Sequence, residues 1–308
     1  MSAWILKAFI QKGISVLPRH RDIHFWLQRN IWKSLMIQPD FLKDRLSHCE
    51  KHMSAWHLKH SDTLPTSVLE IGTGWYPVVP MGLLLSGLDS LTTIDPYPHL
   101  RKDLILEIWT HLHRCYQDGS LETLLPGLDW ERGRALLEQP PSPESNVDAL
   151  LEQWGMTYMV EDARQMSIET NSIDLIISNN TFEHIPQRIL EDIVPELKRI
   201  LRPEGIMSHY IDMADHYSYV DTKISPYHFL QFTEQQWGWI ENKLQSQNRM
   251  RVSQYRSLFQ NSGFDVLKEE NESDDVSILD HLRLKVPFQN MSKGELGVTY
   301  SHMICQHQ

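Results

Sequence analysis

The sequence predicts a doubly wound α/β domain, and three observations carry that expectation. Ser67-Val-Leu-Glu-Ile71 is a short aliphatic run that passes into Gly72-Thr-Gly74 and then an apolar helical stretch from Val78 to Leu88. A buried parallel strand thus feeds a tight turn and a helix whose N-terminus can face a ligand. A second apolar run, Leu91-Thr-Thr-Ile94, ends in Asp95, 25 residues beyond Glu70. An acid at the end of a second strand is placed to accept the ribose hydroxyls of a nucleoside cofactor. From there to the end of the chain, strand-like and helix-like runs alternate, as a doubly wound sheet requires.

Residues 1–60 are a zone of their own. Lys7, Lys12, Arg19, Arg21, Arg29 and Lys33 stand against one acid, Asp22, before Pro39. Apolar residues recur at helical spacing: Ile5, Phe9 and Ile10, then Phe25, Trp26, Ile31, Trp32, Leu35 and Met36. This predicts two or three amphipathic helices forming a cap on the core or over a substrate mouth. Contact with a membrane surface or another partner is the sharper alternative.

Strands are expected at 67–71, 90–95, 156–160, 173–178, 205–212, 264–270 and 297–305, with helices at Val79–Ser86, Ile189–Leu201 and Ser253–Asn261. Arg202-Pro-Glu-Gly205 reads as a stop before strand five, with Pro203 ending the helix and Gly205 supplying the turn. Between Asp95 and Asp162 lie 66 residues, where a helix and a strand need roughly 25–30. The surplus holds a helix-like run, Leu104–Gln117, and Leu136–Pro143, which ends in a Pro-rich loop. A second surplus, Asp212 to Ser253, is rich in aromatics, among them Tyr217, Tyr219, Tyr227, Phe229, Phe232, Trp237 and Trp239. The chain therefore divides into a helical cap, 1–60, and a domain, 61–308, with insertions at about 101–150 and 214–252. Each insertion reads as lid or substrate region, or as an extension of the core or a dimer interface.

With 308 residues the chain can bury one large core plus an accessory region. A net charge of −11 argues against a general nucleic-acid binder, which must neutralise phosphates. Cys49, Cys115 and Cys305 are too scattered for a disulfide framework or a metal motif. No run reaches the ~18 apolar residues of a membrane helix. Lys7 and Lys12 interrupt the apolar start, which makes a poor signal peptide. The cytoplasm is the expected compartment.

Glu70-Ile-Gly-Thr-Gly74, Asp95, Glu161-Asp162-Ala163 and Asp174-Leu-Ile-Ile-Ser-Asn-Asn-Thr-Phe-Glu-His184 resemble the ordered motifs of class I S-adenosylmethionine-dependent methyltransferases. The resemblance covers roughly Ser67 to Asp212, and Leu197-Lys-Arg-Ile-Leu-Arg-Pro-Glu-Gly205 adds to it. In that family the loop usually reads acid-x-Gly-x-Gly-x-Gly. Here Tyr76 replaces the third glycine and Pro77 follows, a Gly-Trp-aromatic-Pro variant similar to that of some bacterial small-molecule enzymes. The resemblance implies a seven-stranded Rossmann-like sheet and S-adenosyl-L-methionine as cofactor. It implies that Glu70, Gly72, Thr73 and Gly74 build the loop around the methionine half and that Asp95 holds the ribose. Asp162 would accept the adenine amino group and the Ala163 amide would donate to the ring, while the Asn179 carbonyl would meet the cofactor's amino group. A plainer role for the strand-end acids is helix capping.

For proton removal the candidates are His184, after strand four, and His216 paired with Asp212 or Asp215, after strand five. Only histidine titrates near neutrality without a large shift, and an adjacent Asp sets its tautomer. Glu183 and His184 could instead bond to each other and brace their loop. A divalent metal on Glu183, His184, Asp212 or Asp215 is conceivable, but no metal site is assigned. His20, His24, His52, His57 and His60 read as surface or satisfied helix residues. Arg249 and Arg251 could bind an anionic substrate, although helix-flanking arginines are usually solvated.

The expected activity is methyl transfer to a hydroxyl or amine of a small molecule, such as a natural product or sugar. A non-catalytic methyltransferase-like scaffold and a protein methyltransferase are the alternatives. The expected partner is a small-molecule acceptor, with no nucleic acid and no membrane span, and a homodimer is left open.

Overall fold

A seven-stranded sheet reverses its winding once, beside its central strand. The computed structural model describes residues 2–31, 37–61, 63–142, 144–242, 244 and 246–308. Trp32, Lys33, Leu35 and Met36 of the expected cap, and Pro143 of the Pro-rich loop, lie outside the described residues. The strands are β1 (Val68–Ile71), β2 (Leu91–Asp95), β3 (Met156–Val160), β4 (Ile173–Asn179), β5 (Leu201–Asp212), β6 (Phe264–Ser273) and β7 (Val298–His307). They lie in the order β3-β2-β1-β4-β5-β7-β6, with β7 antiparallel to both neighbours. The chain steps outward from β1 to β3 and then returns to β4 on the other side of β1. Loops leaving β1 and β4 therefore open a crevice at their carboxyl ends, where such sheets bind ligands.

The cap consists of α1 (Ala3–Ile14), α2 (His20–Asn30) and α3 (Pro39–His57). Next come α4 (Val78–Leu85), α5 (Lys102–Gln117), α6 (Leu121–Leu124), α7 (Trp130–Leu137) and α8 (Val147–Trp154). The second half adds α9 (Gln187–Ile200), α10 (Glu234–Ile240), α11 (Val252–Asn261) and α12 (Lys293–Leu296). The alternation of β1 explains the layering. Val68 faces the core formed with α3, α4 and α5, while Leu69 and Ile71 face the core formed with α9 and α11. Leu190, Ile193, Val194, Leu197 and Ile200 of α9 are all buried at i, i+3, i+4, i+7 spacing, each worth roughly 1.5–3 kcal/mol on burial. Helix α3 packs so closely on α4 that a Cβ at Gly82 would lie 2.6 Å from Cys49 Sγ.

Two boundaries need correction, and both insertions carry buried cores. Strand five begins at Leu201 rather than 205, since Arg202 to Gly205 form no turn. Leu201 already pairs with Ile173, and the next partners are Ile206 and Leu175, so the four residues bulge within the strand. The 101–150 insertion extends the core under α4 through Ile105, Ile108, Leu112, Leu121 and Leu137, and α7 begins at Trp130 and ends at Leu137, ahead of the stretch expected. In the 214–252 insertion, Tyr217, Tyr227, Phe229, Leu230 and Trp237 build a third core. Ala8 and Trp4 of α1 join it from the chain start, and Leu279, Phe288 and Leu296 from an unexpected excursion between β6 and β7. Lys12 ties α1 to the end of α10, donating to the Gly238 and Glu241 carbonyls at 2.9 and 2.8 Å.

Arg249 and Arg251 are neither solvated nor free for a substrate: they are 6 % and 0 % exposed. Arg249 donates to the Phe229 carbonyl at 2.9 Å and pairs with Glu234. Arg251 donates to the carbonyls of Met213 (2.6 Å), Leu296 (2.9 Å) and Val298, pinning the third core to the sheet. Truncating Arg251→Ala leaves three buried carbonyls without a donor. We expect about 3 kcal/mol or more of lost stability in urea unfolding; a loss under about 0.5 kcal/mol would contradict the clamp.

Candidate active site

Glu70, Gly72, Thr73, Gly74, Asp95, Asp162, Ala163 and Asn179 all line one cleft of about 610 Å³, and so does His184. No described residue of 101–150 or 214–252 lines it. The wall opposite the glycine loop comes from α3, through Phe41 and Arg45.

The glycine loop is shaped by two different needs. Gly72 has φ +82°, and a Cβ there would lie 2.3 Å from Thr181 Cγ2, so the position excludes side chains by conformation and by space. Gly74 has φ +66° with nothing within 4 Å of a built Cβ, so only conformation demands glycine. Between them, Thr73 bonds to Thr93 of β2. The loop's aromatics dock the cap: Trp75 packs against His24 and Phe25 of α2 and His99, with ring centroids 5.8, 5.5 and 6.1 Å away. Tyr76 meets Phe41 of α3 at 5.9 Å.

Two acids end the adjacent strands. Glu70, 2 % exposed, accepts hydrogen bonds from Thr93 (2.9 Å) and from Asn179 Nδ2 (3.3 Å), and burial pushes its carboxyl up to about 7. Asp95 accepts from the Gly74 amide (3.1 Å) and the Tyr158 hydroxyl (3.2 Å). Burial, and then the Glu70 charge, push it up to about 8. Asp162 is different, being half exposed and gripped at both carboxylate oxygens by Arg164 at 2.6–3.1 Å. The Asn179 carbonyl accepts from Thr181 at 3.1 Å.

The Asn179 side chain is a buried junction that sequence reasoning missed. Its Oδ1 accepts from His48 Nδ1 (3.0 Å) and His52 Nε2 (2.9 Å), both on α3. The Ser208 hydroxyl then lies 2.8 Å from His52 Nδ1 and 2.7 Å from His302 Nε2. His52 is a fully buried, satisfied helix residue. A signal did exist: Phe41, Arg45, His48 and His52, at i, i+4, i+7 and i+11, put one stripe along a single face of α3.

The histidine candidates separate. His184 Nδ1–H donates to the Ser246 carbonyl at 2.6 Å, which leaves Nε2 with its lone pair. Burial, and then the nearby His216, lower His184 to about 4. The ring of His216 meets His184 edge-on at 4.9 Å. His216 Nε2 lies 3.1 Å from Asp212 Oδ2, and Asp212 also accepts from the Ala214 amide (2.9 Å) and the Tyr219 hydroxyl (2.8 Å). Burial opposes ionisation of Asp212, but these contacts hold it below the usual carboxylate range. His216 and Asp212 stand behind His184 and do not line the cleft. Asp215 does not join them: it takes the Tyr217 amide at 2.9 Å and His228 Nδ1 at 3.2 Å. Glu183 does not brace His184. It is 1 % exposed, and among the described residues neither carboxylate oxygen has a side-chain donor; burial, with the Asp212 charge, raises its carboxyl well above the ordinary range.

Residues 137–208, from the end of α7 into β5, match the family model described as a methyltransferase domain. No curated protein matches the sequence. Solved structures of similar architecture include the Burkholderia thailandensis 1,6-didemethyltoxoflavin-N1-methyltransferase with bound S-adenosylhomocysteine. It is 11 % identical, covers 93 % of this chain and 86 % of its own, and has a TM-score of 0.46. The PH0226 protein from Pyrococcus horikoshii OT3 is 14 % identical over 91 % and 98 % of the two chains, at a TM-score of 0.48. The [4+2]-cyclase SpnF is 9 % identical over 84 % and 81 %, at 0.44. The domain match falls on β3, β4 and the start of β5, in a sheet of the order 3-2-1-4-5-7-6.

Proposed function

We propose that the protein methylates a hydroxyl or amine of a small molecule and that His184 takes the proton the acceptor loses. The observation that carries this is the imidazole itself, which borders the cleft with Nδ1–H committed to the Ser246 carbonyl and Nε2 open. S-adenosylmethionine supplies a methyl group on a sulfonium, already bonded to its leaving group. What is left to the protein is alignment of the acceptor and removal of its proton. A histidine lowered to about 4 is neutral at physiological pH and ready to accept. The Asp212 carboxylate behind His216 stabilises the imidazolium that results.

For the cofactor, the bare backbone at Gly74, φ +66° and open to the cleft, lets a ligand approach the amides closely. Asp95 would take the ribose hydroxyls, and Asp162 the adenine amino group with one carboxylate oxygen shared from Arg164. Phe41, Tyr76 and Arg45 line the remaining wall. Two rings and a guanidinium favour a planar acceptor or a sugar face stacked on an aromatic.

Three outcomes are expected. Calorimetric titration of S-adenosylmethionine gives binding that weakens at least tenfold in Asp95→Asn. Ribose hydroxyls donate to the ionised carboxylate, so wild-type affinity rises as pH climbs through about 8 and the variant loses that slope; equal affinities would remove Asp95 from the site. His184→Gln lowers kcat by about 10²–10⁴-fold with cofactor affinity unchanged, and an undiminished kcat would dismiss His184 as the base. The wild-type kcat falls as pH drops through about 4. The acid limb needs a parallel melting series, because His52 and His184, lowered to about 3 and 4, are held neutral by folding. Their stabilisation is complete above 6.5 and is lost as pH falls from there towards the folded values.

A further inference from the structure

Behind the cleft wall lies a deeply buried carboxyl group. Glu183 sits in the short 3₁₀ turn Phe182–His184 that follows β4, 1 % exposed, and among the described residues no side-chain donor reaches either of its oxygens. Burying a polar group without a hydrogen bond is costly, and buried carboxylates are normally paired or bound to a cation. Arg45 is the cation whose charge acts on Glu183, and it forms no hydrogen bond to it. Two imidazoles stand beside the carboxyl. One ligand atom each from Glu183, His184 and His216 lies within 4.8 Å of the others.

We propose that Glu183, His184 and His216 form a binding site for a first-row divalent cation, reached from the cleft past His184. Two nitrogens and one carboxylate oxygen suit Zn²⁺ or Mn²⁺ better than Mg²⁺, which prefers an all-oxygen shell. Around Zn²⁺ such donors lie about 2.0–2.2 Å from the metal and about 3.5 Å from one another. The cluster would therefore contract by about 1 Å on binding. The outer contacts of a metal site are already in place. His184 gives its remote Nδ1–H to the Ser246 carbonyl, as metal-bound histidines do, which fixes Nε2 as the ligand. His216 has Asp212 beside it at 3.1 Å, itself anchored by the Ala214 amide and Tyr219. Three protein ligands leave a further coordination position open, as in catalytic zinc sites. In the methyl-transfer reading that position would take an oxygen of the acceptor and lower its pKa, so the proton would leave to water in the metal-loaded protein and to His184 Nε2 in the metal-free one. That role rests on the methyl-transfer reading, whereas the binding of the cation does not.

The test is calorimetric titration of metal-stripped full-length protein with Zn²⁺, alongside Glu183→Gln and His216→Asn. The expected result is one Zn²⁺ per wild-type chain, at least tenfold weaker binding in each variant, and a Zn²⁺-dependent rise in melting temperature for the wild type alone. Glu183→Gln is nearly isosteric and replaces a carboxyl that burial disfavours ionising, so it should melt no lower than the wild type without metal. If His216→Asn fails to fold, the comparison with Glu183→Gln still decides. A wild type that binds S-adenosylmethionine but no stoichiometric Zn²⁺ overturns the proposal, as does Zn²⁺ binding that both variants retain in full. Zn²⁺ binding through these residues in a protein that takes no S-adenosylmethionine would instead sink the methyl-transfer reading and leave the metal site standing.

Discussion

The carboxyl edge of this sheet depends on one side-chain amide. Asn179 ends β4, one residue beyond the pairing of Ser178 with Ile71, so its side chain reaches the seam where the sheet changes winding direction. Its Nδ2 donates to Glu70, at the end of β1, and its Oδ1 accepts from two histidines of α3. An amide can accept twice and donate twice, and three of those four capacities join β1, β4 and the cap. A carboxylate in this place could not donate to Glu70, and an aliphatic residue would leave Glu70, His48 and His52 with unmet polar atoms in the interior. Thr93 and the Gly72 turn are then positioned around a Glu70 that is already held.

The same seam accounts for the unusual loop. A third glycine would have let the chain turn freely at position 76, and this protein has exchanged that freedom for contact. Trp75 and Tyr76 are the surface on which α2 and α3 rest, with Arg21 over Tyr97 and Arg101 over Phe25 adding cation–π contacts across the same boundary. The basic character of the first helices is used in part here, at aromatic faces. Lys12, at the end of α1, serves instead to close the carbonyl end of α10.

Much of this was legible in the sequence because it is local. Strand ends that carry Glu70, Asp95 and Asn179 follow from apolar runs of four to seven residues closed by polar ones, and parallel neighbours bring such ends to one edge of the sheet. What escaped depends on partners distant in the chain. Nothing near Arg251 announces that Met213, Leu296 and Val298 will surround it. The spacing of Asp215 from His216 suggested a pair, yet its carboxylate turns to His228, twelve residues beyond His216. The aromatic insertion read as a substrate wall because aromatics at a surface often mark one. Most of its rings are spent on a third core, completed by α1 and by residues 279–296.

That third core has a consequence for how the chain reaches its native state. Trp4 donates its amide to Asp221, 217 positions later, and its ring lies 5.0–6.0 Å from those of Tyr217, His228 and Phe232. Contacts of that sequence separation carry a large loop-closure entropy and form late. Helix α1 is therefore among the last of these elements to find its place. Until residues 279–296 have been synthesised, α1 and the aromatic insertion present apolar surface with no counterpart, a state in which chains of this size aggregate or recruit chaperones. An early helix is completed only by a late loop.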